Sequence, residues 1–236
     1  LRAHPIEANL SPTFQILDAQ DQARIIKRLM KENGVDETKF PIKKVQWFIN
    51  QQKDEGILPH QIDAGYNYFV KQSTKVFDLY EKHCQSNDLI DFAGLLVKSY
   101  ELLKNNQILL EYYQKKFRHI LVDEFQDTNR IQYEWIKILH NQDNHVFCVG
   151  DDDQSIYGWR GARIENIQKI ELDFKPIQII KLEQNYRSTG NILSASNALI
   201  ANNPNRLEKS LWTDSGDGDL INVFNANTET EEAQYV

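Results

Sequence analysis

With 236 residues, 41% of them hydrophobic, the chain has enough apolar material to bury the core of one large domain or two small ones. A formal net charge of −7 argues against a nucleic-acid binder that relies on bulk positive charge, but not against one using a local basic and aromatic groove. No apolar run approaches the roughly 18 residues of a membrane span, LRAHPIEANLSP lacks a signal-peptide core, and Cys84 and Cys148 give no disulfide framework or metal spacing, so a cytoplasmic setting is expected.

Residues 1–118 read as almost wholly helical. Asp18 is placed to cap a helix whose apolar face is Ile25, Ile26, Leu29 and Met30 and which stops at Gly34. Pro41 suits a first helical position, with Val45, Phe48 and Ile49 following on one face. Gly56 and Pro59 break the pattern within Lys53–Ile62. A longer helix is expected over roughly Ala64–Gln85, using Phe69, Val76, Phe77 and Tyr80, until Ser86–Asn87–Asp88 interrupts it. Asp91 then caps a helix carrying Phe92, Leu95, Leu96 and Leu103, and a last one brings in Leu109, Leu110 and Tyr113.

Near Phe117 the texture changes. Short apolar runs at Ile120–Val122, Val146–Val149 and Ile177–Leu182 alternate with helical patterns around Ile131–Leu139, Ile164–Ile170 and Ile192–Ala201. Such alternation predicts an α/β fold, a parallel sheet of buried strands with crossover helices, and Cys148 falls inside one of those strands. Asn202–Asn203–Pro204 ends the last helix, Thr213–Asp219 is turn-rich, Leu220–Phe224 starts a new strand, and Thr230 opens another helix.

Each of the three apolar runs stops at a polar cluster: DEFQDT (Asp123–Thr128), GDDDQSIYGWRGA (Gly150–Ala162) and EQNYRS (Glu183–Ser188). Ligands of open α/β sheets bind beyond the carboxyl ends of the strands, so the clusters are expected to share one crevice. Magnesium takes few protein carboxylates and keeps the rest of its octahedron for water and phosphate, which Asp123 at a strand end suits. Glu124 beside it is placed to activate a water for attack on a γ-phosphate, although an isolated acidic pair usually just ends a strand in solvent. Gln154 offers a neutral amide to a phosphate oxygen, while Asp151–Asp153 taken singly reads as a solvated acidic turn. Tyr157, Trp159 and Arg160, spaced by Gly158, Gly161 and Ala162, suit sequence-indifferent base stacking unless the rings pack in the core. Arg187 is placed to neutralise charge on a transferring phosphoryl group, with an ion pair to Glu183 as the structural alternative.

Together the clusters resemble motifs II, III and IV of the superfamily 1 DNA helicases of the UvrD/PcrA/Rep group. FQILD (Phe14–Asp18), WFINQQKDEG (Trp47–Gly56) and IDF (Ile90–Phe92) are similar as well, most of all to its UvrD members. The resemblance implies a partial RecA-like motor preceded by a helical insertion: residues 1–115 the inserted subdomain, 116–203 the later part of the first motor domain, 204–236 the linker and start of the second. It implies ATP and Mg2+, with Asp123 on the metal, Glu124 activating water, Gln154 and Arg187 on the γ-phosphate, and Tyr186 stacking on adenine. Tyr157, Trp159 and Arg160 would contact single-stranded DNA, and the activity would be 3′-to-5′ translocation and unwinding of duplex DNA in repair or replication, with repair proteins as partners.

No G-x-x-x-x-G-K-[ST] phosphate loop occurs in these residues. The chain is therefore expected to correspond to an internal stretch of such a helicase, inactive alone, with a sheet edge open to dimerisation or domain swapping. Two other classes stay open. A metal-dependent nuclease would use Asp123, Glu124, Asp127 and Asp151–Asp153 as a two-metal site. A non-catalytic module would bind duplex DNA through Arg24, Lys27, Arg28, Lys31, Lys43 and Lys44, although such helix-surface charges are usually just solvated. His83 and His145 have no ligand-like company.

Overall fold

A computed structural model describes residues 1–203, 206 and 209–236, with the side chain of Arg160 outside the description. It divides into two units, Leu1–Ile177 and Gln178–Val236. Asp18 caps the first helix as expected: its Oδ1 accepts the N–H groups of Gln20 and Asp21 at 2.8 and 2.7 Å. Helix α1 (Ala19–Glu32) buries Gln22, Ile26, Leu29 and Met30 on one face and is followed by Gly34 at φ +66°. Helix α2 (Ile42–Asp54) adds Val45, Phe48 and Ile49, and α3 (Tyr68–Ser86) adds Val76, Phe77 and Tyr80, forming one apolar core among three helices.

The helical reading missed two short strands. Strand β1 (Gln15–Leu17) pairs in parallel with β2 (Leu89–Asp91), with Ile16 opposite Ile90. This pair brings Asp91 against the three-helix core. Asp91 Oδ1 caps α4 (Phe92–Asn105) by accepting the Gly94 N–H at 2.6 Å. Its Oδ2 accepts from Lys53 Nζ and the Tyr80 hydroxyl, both at 2.8 Å, and from Gln22 Nε2 at 3.1 Å. Burial alone would push the Lys53 ammonium down, yet the carboxylates of Asp91 and Glu81 outweigh it and hold it above the ordinary lysine value. Burial would likewise push Asp91 up, but Lys53, the Gly94 N–H and the Tyr80 hydroxyl pull it below the usual carboxylate range.

Helix α5 (Gln107–Lys116) follows, and Leu103 and Leu110 form a second core with Leu139 of α6 (Arg130–Leu139). Helices α4 and α5 thus pack on the sheet-bearing part, even though they are continuous with the helical stretch. Strand β3 (His119–Val122) and β4 (His145–Cys148) pair in parallel around the α6 crossover, with Leu121 opposite Phe147 and Val122 opposite Cys148. Helix α7 (Glu165–Asp173) brings Phe174 against Phe125, Tyr133 and Ile136.

Three expectations about the sheet are corrected. The strands are not buried on both faces: every second residue points outward, leaving Leu121 74% and Phe147 61% exposed. Ile177–Leu182 forms no strand, and Ile180 and Leu182 stay exposed. Leu220–Phe224 is also irregular. The cause is shared: an apolar run becomes a strand only when a neighbouring backbone continues its hydrogen bonds as a ladder, and neither run joins a ladder among the described residues.

In the second unit, Trp212 bridges Gln184, its N–H donating to the Glu183 carbonyl at 3.0 Å and its carbonyl accepting from Asn185 N at 2.7 Å. Helix α8 (Gly190–Ile200) and a short α9 (Glu229–Tyr235) complete it. Pro204, expected to end α8, lies outside the described residues.

Candidate functional site

Parallel strands β3 and β4 deliver their polar ends side by side. Asp123 and Glu124 follow β3, and both are exposed. Asp123 Oδ1 accepts the N–H of Glu124 at 2.9 Å. Glu124 stands in the left-handed region (φ 49°, ψ 44°), a conformation that costs a β-carbon-bearing residue of the order of 1–2 kcal/mol.

Gln126, 1% exposed, joins the two strand ends. Its Nε2 donates to Glu124 Oε2 at 2.7 Å, and its Oε1 accepts the N–H of Asp151 at 3.0 Å. Both bonds require one orientation of the amide, because Glu124 only accepts and the Asp151 N–H only donates. Gly150 makes room for this bridge: a β-carbon there would lie 2.8 Å from Gln126 Oε1. The chain continues to Gln154, whose Nε2 donates to Asp151 Oδ2 at 2.7 Å. The expected carboxylate and the expected sensing amide are therefore connected through two intervening residues.

Three positions beyond Gln154 the aromatic loop begins. The Tyr157 and Trp159 rings lie 6.2 Å apart at 51°, and Trp159 is 64% exposed, so its ring is not core packing. The side chain of Arg160, expected beside them, lies outside the description. Gly161 ends the loop's short turn at φ +85°, where a side chain would be strained.

Helix α2 meets this loop. Its Trp47 Nε1 donates to the Trp159 carbonyl at 3.5 Å. Asp54 Oδ1 accepts from Asn129 Nδ2 at 2.8 Å, and Glu55 forms a two-pronged pair with Arg163, with Nε to Oε1 at 3.0 Å. Burial, then the negative charges of Glu55 and Asp91, push the Asp54 carboxyl up to about 6. Asp54 also lines a cavity of about 340 Å³ with Gln22, Asn50, Asp127 and Gln132.

Tyr186 and Arg187 belong to the second unit. Asn185 Oδ1 accepts the N–H groups of Arg187 and Ser188 at 2.9 and 2.7 Å, which fixes the backbone turn beneath both side chains. The Tyr186 hydroxyl donates to Gln184 Oε1 at 2.7 Å, while the ring stays 82% exposed.

Among the described residues, the carboxylates close enough to share one cation are Asp151, Asp152 and Asp153, their ligand atoms lying within 4.8 Å of one another. Asp123, Glu124 and Asp127 do not join that group. The basic helix surface is partly neutralised, with Arg24 against Asp21, Lys27 against Glu37 and Arg28 against Glu32. No described helix is long and apolar enough to cross a membrane.

Sequence reasoning singled out Asp123, Glu124, Gln154, Tyr157 and Trp159 but gave no task to Gln126, Gly150, Asp54 or Glu55. Its place inside the polar cluster Asp123–Thr128, two positions after the strand-ending Glu124, was the available signal for Gln126.

Comparison with known proteins adds an independent line. Residues 1–175 match the UvrD/REP helicase N-terminal domain, and residues 180–236 match the UvrD-like helicase C-terminal domain. The chain is 52% identical over 236 residues to DNA helicase II of Escherichia coli (strain K12), covering all of this chain and 33% of the relative. It is equally identical to DNA helicase II of Haemophilus influenzae, covering 32% of that protein. The ATP-dependent DNA helicase PcrA of Staphylococcus epidermidis is 40% identical over 237 aligned positions. The chain spans about a third of the length of these curated relatives.

Proposed function

The chain belongs to the UvrD/REP helicase family, and on that premise we propose that it is a stretch of an ATP-dependent helicase that moves 3′ to 5′ on single-stranded DNA and unwinds duplexes in repair or replication. The observation that carries this reading is the bonded chain Glu124–Gln126–Asp151–Gln154, which leads to Trp159 five positions on. It offers a physical route between a water-activating carboxylate, a phosphate-facing amide and a base-stacking ring.

Each residue has a defined task. Asp123 commits Oδ1 to the Glu124 N–H, which leaves Oδ2 for a hard cation such as magnesium. That ion, when bound, neutralises phosphate charge. Glu124 holds and deprotonates the attacking water, its angle fixed by Gln126. Gln154 contacts the γ-phosphate and, through Asp151, passes any shift toward the loop. Tyr157, Trp159 and Arg160 hold single-stranded DNA. Arg187 stabilises charge on the γ-phosphate, and Tyr186 presents an open ring face to adenine. Residues 1–115 act as the helical insertion and the residues from 116 onward as motor. Within that motor, residues 116–203 are read as the later part of the first motor domain and 204–236 as the linker and start of the second, while the compact units divide after Ile177.

DNA binding is tested with oligothymidine on the full 236-residue chain. Trp159→Ala is expected to weaken binding by about 1–3 kcal/mol, the worth of one stacked base. Equal affinity for the variant and the parent sequence would refute the stacking role. Single-turnover ATP hydrolysis by the same chain is expected to be negligible, because these residues contain no glycine–lysine phosphate loop. Robust hydrolysis that depends on Glu124 would overturn this expectation. Nicking of DNA with magnesium alone would favour the nuclease reading instead.

A further inference from the structure

Three contacts reach the aromatic loop, and two more reach the start of α6, from one helix that no functional role has yet claimed. Trp47 and Asp54 lie seven residues apart and so share a face of α2, and that face points at the loop. At the upper end, the Trp47 ring N–H reaches the carbonyl of Trp159 itself. At the lower end, the Gly161 backbone lies so close to Asp54 that an added β-carbon would touch the Asp54 side chain at 3.6 Å. Asp54 also takes the Asn129 amide, and Arg130 Nη1 donates to the Glu55 carbonyl at 3.3 Å, tying the start of α6 to the same turn.

The strongest contact is the Glu55–Arg163 pair. Both nitrogens of one guanidinium edge meet both oxygens of the carboxylate, and the partners are 108 positions apart in sequence. Exposed ion pairs usually contribute little, but Glu55 is only 16% exposed and the geometry is bidentate, the form that fixes orientation as well as charge. Arg163 is held a second time, its own N–H donating to the Thr128 carbonyl at 3.0 Å. The loop is thus anchored at Trp159 itself and again at Gly161 and Arg163 just beyond it.

We propose that the last turn of α2 is a strut for the aromatic loop, with Glu55 and Arg163 as positioning residues that set the pose of Trp159 and thereby the affinity for single-stranded DNA. Neither residue touches the DNA in this scheme. The inference rests on the reading of Trp159 as a base-stacking ring, and its test separates the two.

Amide hydrogen exchange of residues 157–163 and oligothymidine affinity are measured on the full chain for Glu55→Gln, Arg163→Lys and the exchanged pair E55R/R163E. The strut predicts at least about tenfold faster exchange in this segment for Glu55→Gln, as expected for loss of a charge-assisted bidentate contact. Exchange in α1 and β3 stays unchanged, oligothymidine binds several-fold more weakly, and E55R/R163E recovers part of both effects. Arg163→Lys keeps the charge without the fork, so it serves if the exchanged pair fails to fold, and an intermediate effect is expected. Unchanged exchange at 157–163 in Glu55→Gln overturns the proposal. Faster exchange with unaltered DNA affinity also overturns it, provided Trp159→Ala weakens binding. If Trp159→Ala leaves binding intact, the stacking reading fails instead, and the exchange data alone judge whether the strut holds the loop.

Discussion

Asp54 shows how one carboxyl ties stability to pH. Its folded-state value lies near 6 against an ordinary 3.8, so the folded chain holds that proton more tightly than the unfolded chain does. The cost of ionising it is absent below about pH 3.8, grows as pH rises through 6, and is complete above. Asp54→Asn removes the cost and can still accept from Asn129 through its amide oxygen. Urea unfolding should find the variant more stable at pH 8 by about 1–2 kcal/mol, after allowance for partial solvent screening, with the gain fading toward pH 4. Gln126 makes a second residue-scale case. Gln126→Leu keeps most of the volume but removes the Gln126 Oε1 that accepts the Asp151 N–H and the amide that donates to Glu124, so a loss of about 1–3 kcal/mol is expected in the same assay. Asp123 and Glu124 were legible because they stop an apolar run. The bridge through Gln126 was not, because the meeting of residues 126 and 151 depends on the register of two strands.

At the scale of elements, the caps were legible and the long-range partners were not. Asp18 and Asp91 both cap helices where local spacing put them. That Asp91 also pairs with Lys53, 38 positions earlier, is a product of packing that no local pattern carries. Lys53→Met should expose the difference: it leaves a buried carboxylate without its cation and is expected to cost about 3–5 kcal/mol in thermal or urea unfolding, far more than a lost cap. Strands β1 and β2, three residues each, are too short for alternation to show. Ile177–Leu182 is the reverse case, with a strand-like pattern that joins no ladder among the described residues. Leu121 and Phe147 turn an uncovered apolar face of β3 and β4 to solvent, so the chain is expected to self-associate as concentration rises. Sedimentation of L121K/F147K should show a monomer under conditions where the parent sequence forms larger species.

The whole molecule divides into two compact units, Leu1–Ile177 and Gln178–Val236. Brief proteolysis is expected to cut first around this junction and to release an N-terminal piece that keeps a cooperative unfolding transition; a first cut inside α1–α3 would contradict the division. The fold class was legible from the change of texture near Phe117, while apolar content continues across Ile177 and Gln178 and leaves no local mark of the division there. The left-handed backbone of Glu124 bears on how such a protein ages under selection. Glycine or asparagine would relax that backbone and gain a few tenths of a kcal/mol or more, at the expense of the carboxylate itself. A laboratory screen that rewards heat resistance alone should therefore drift away from glutamate at this codon, and one that rewards turnover should restore it.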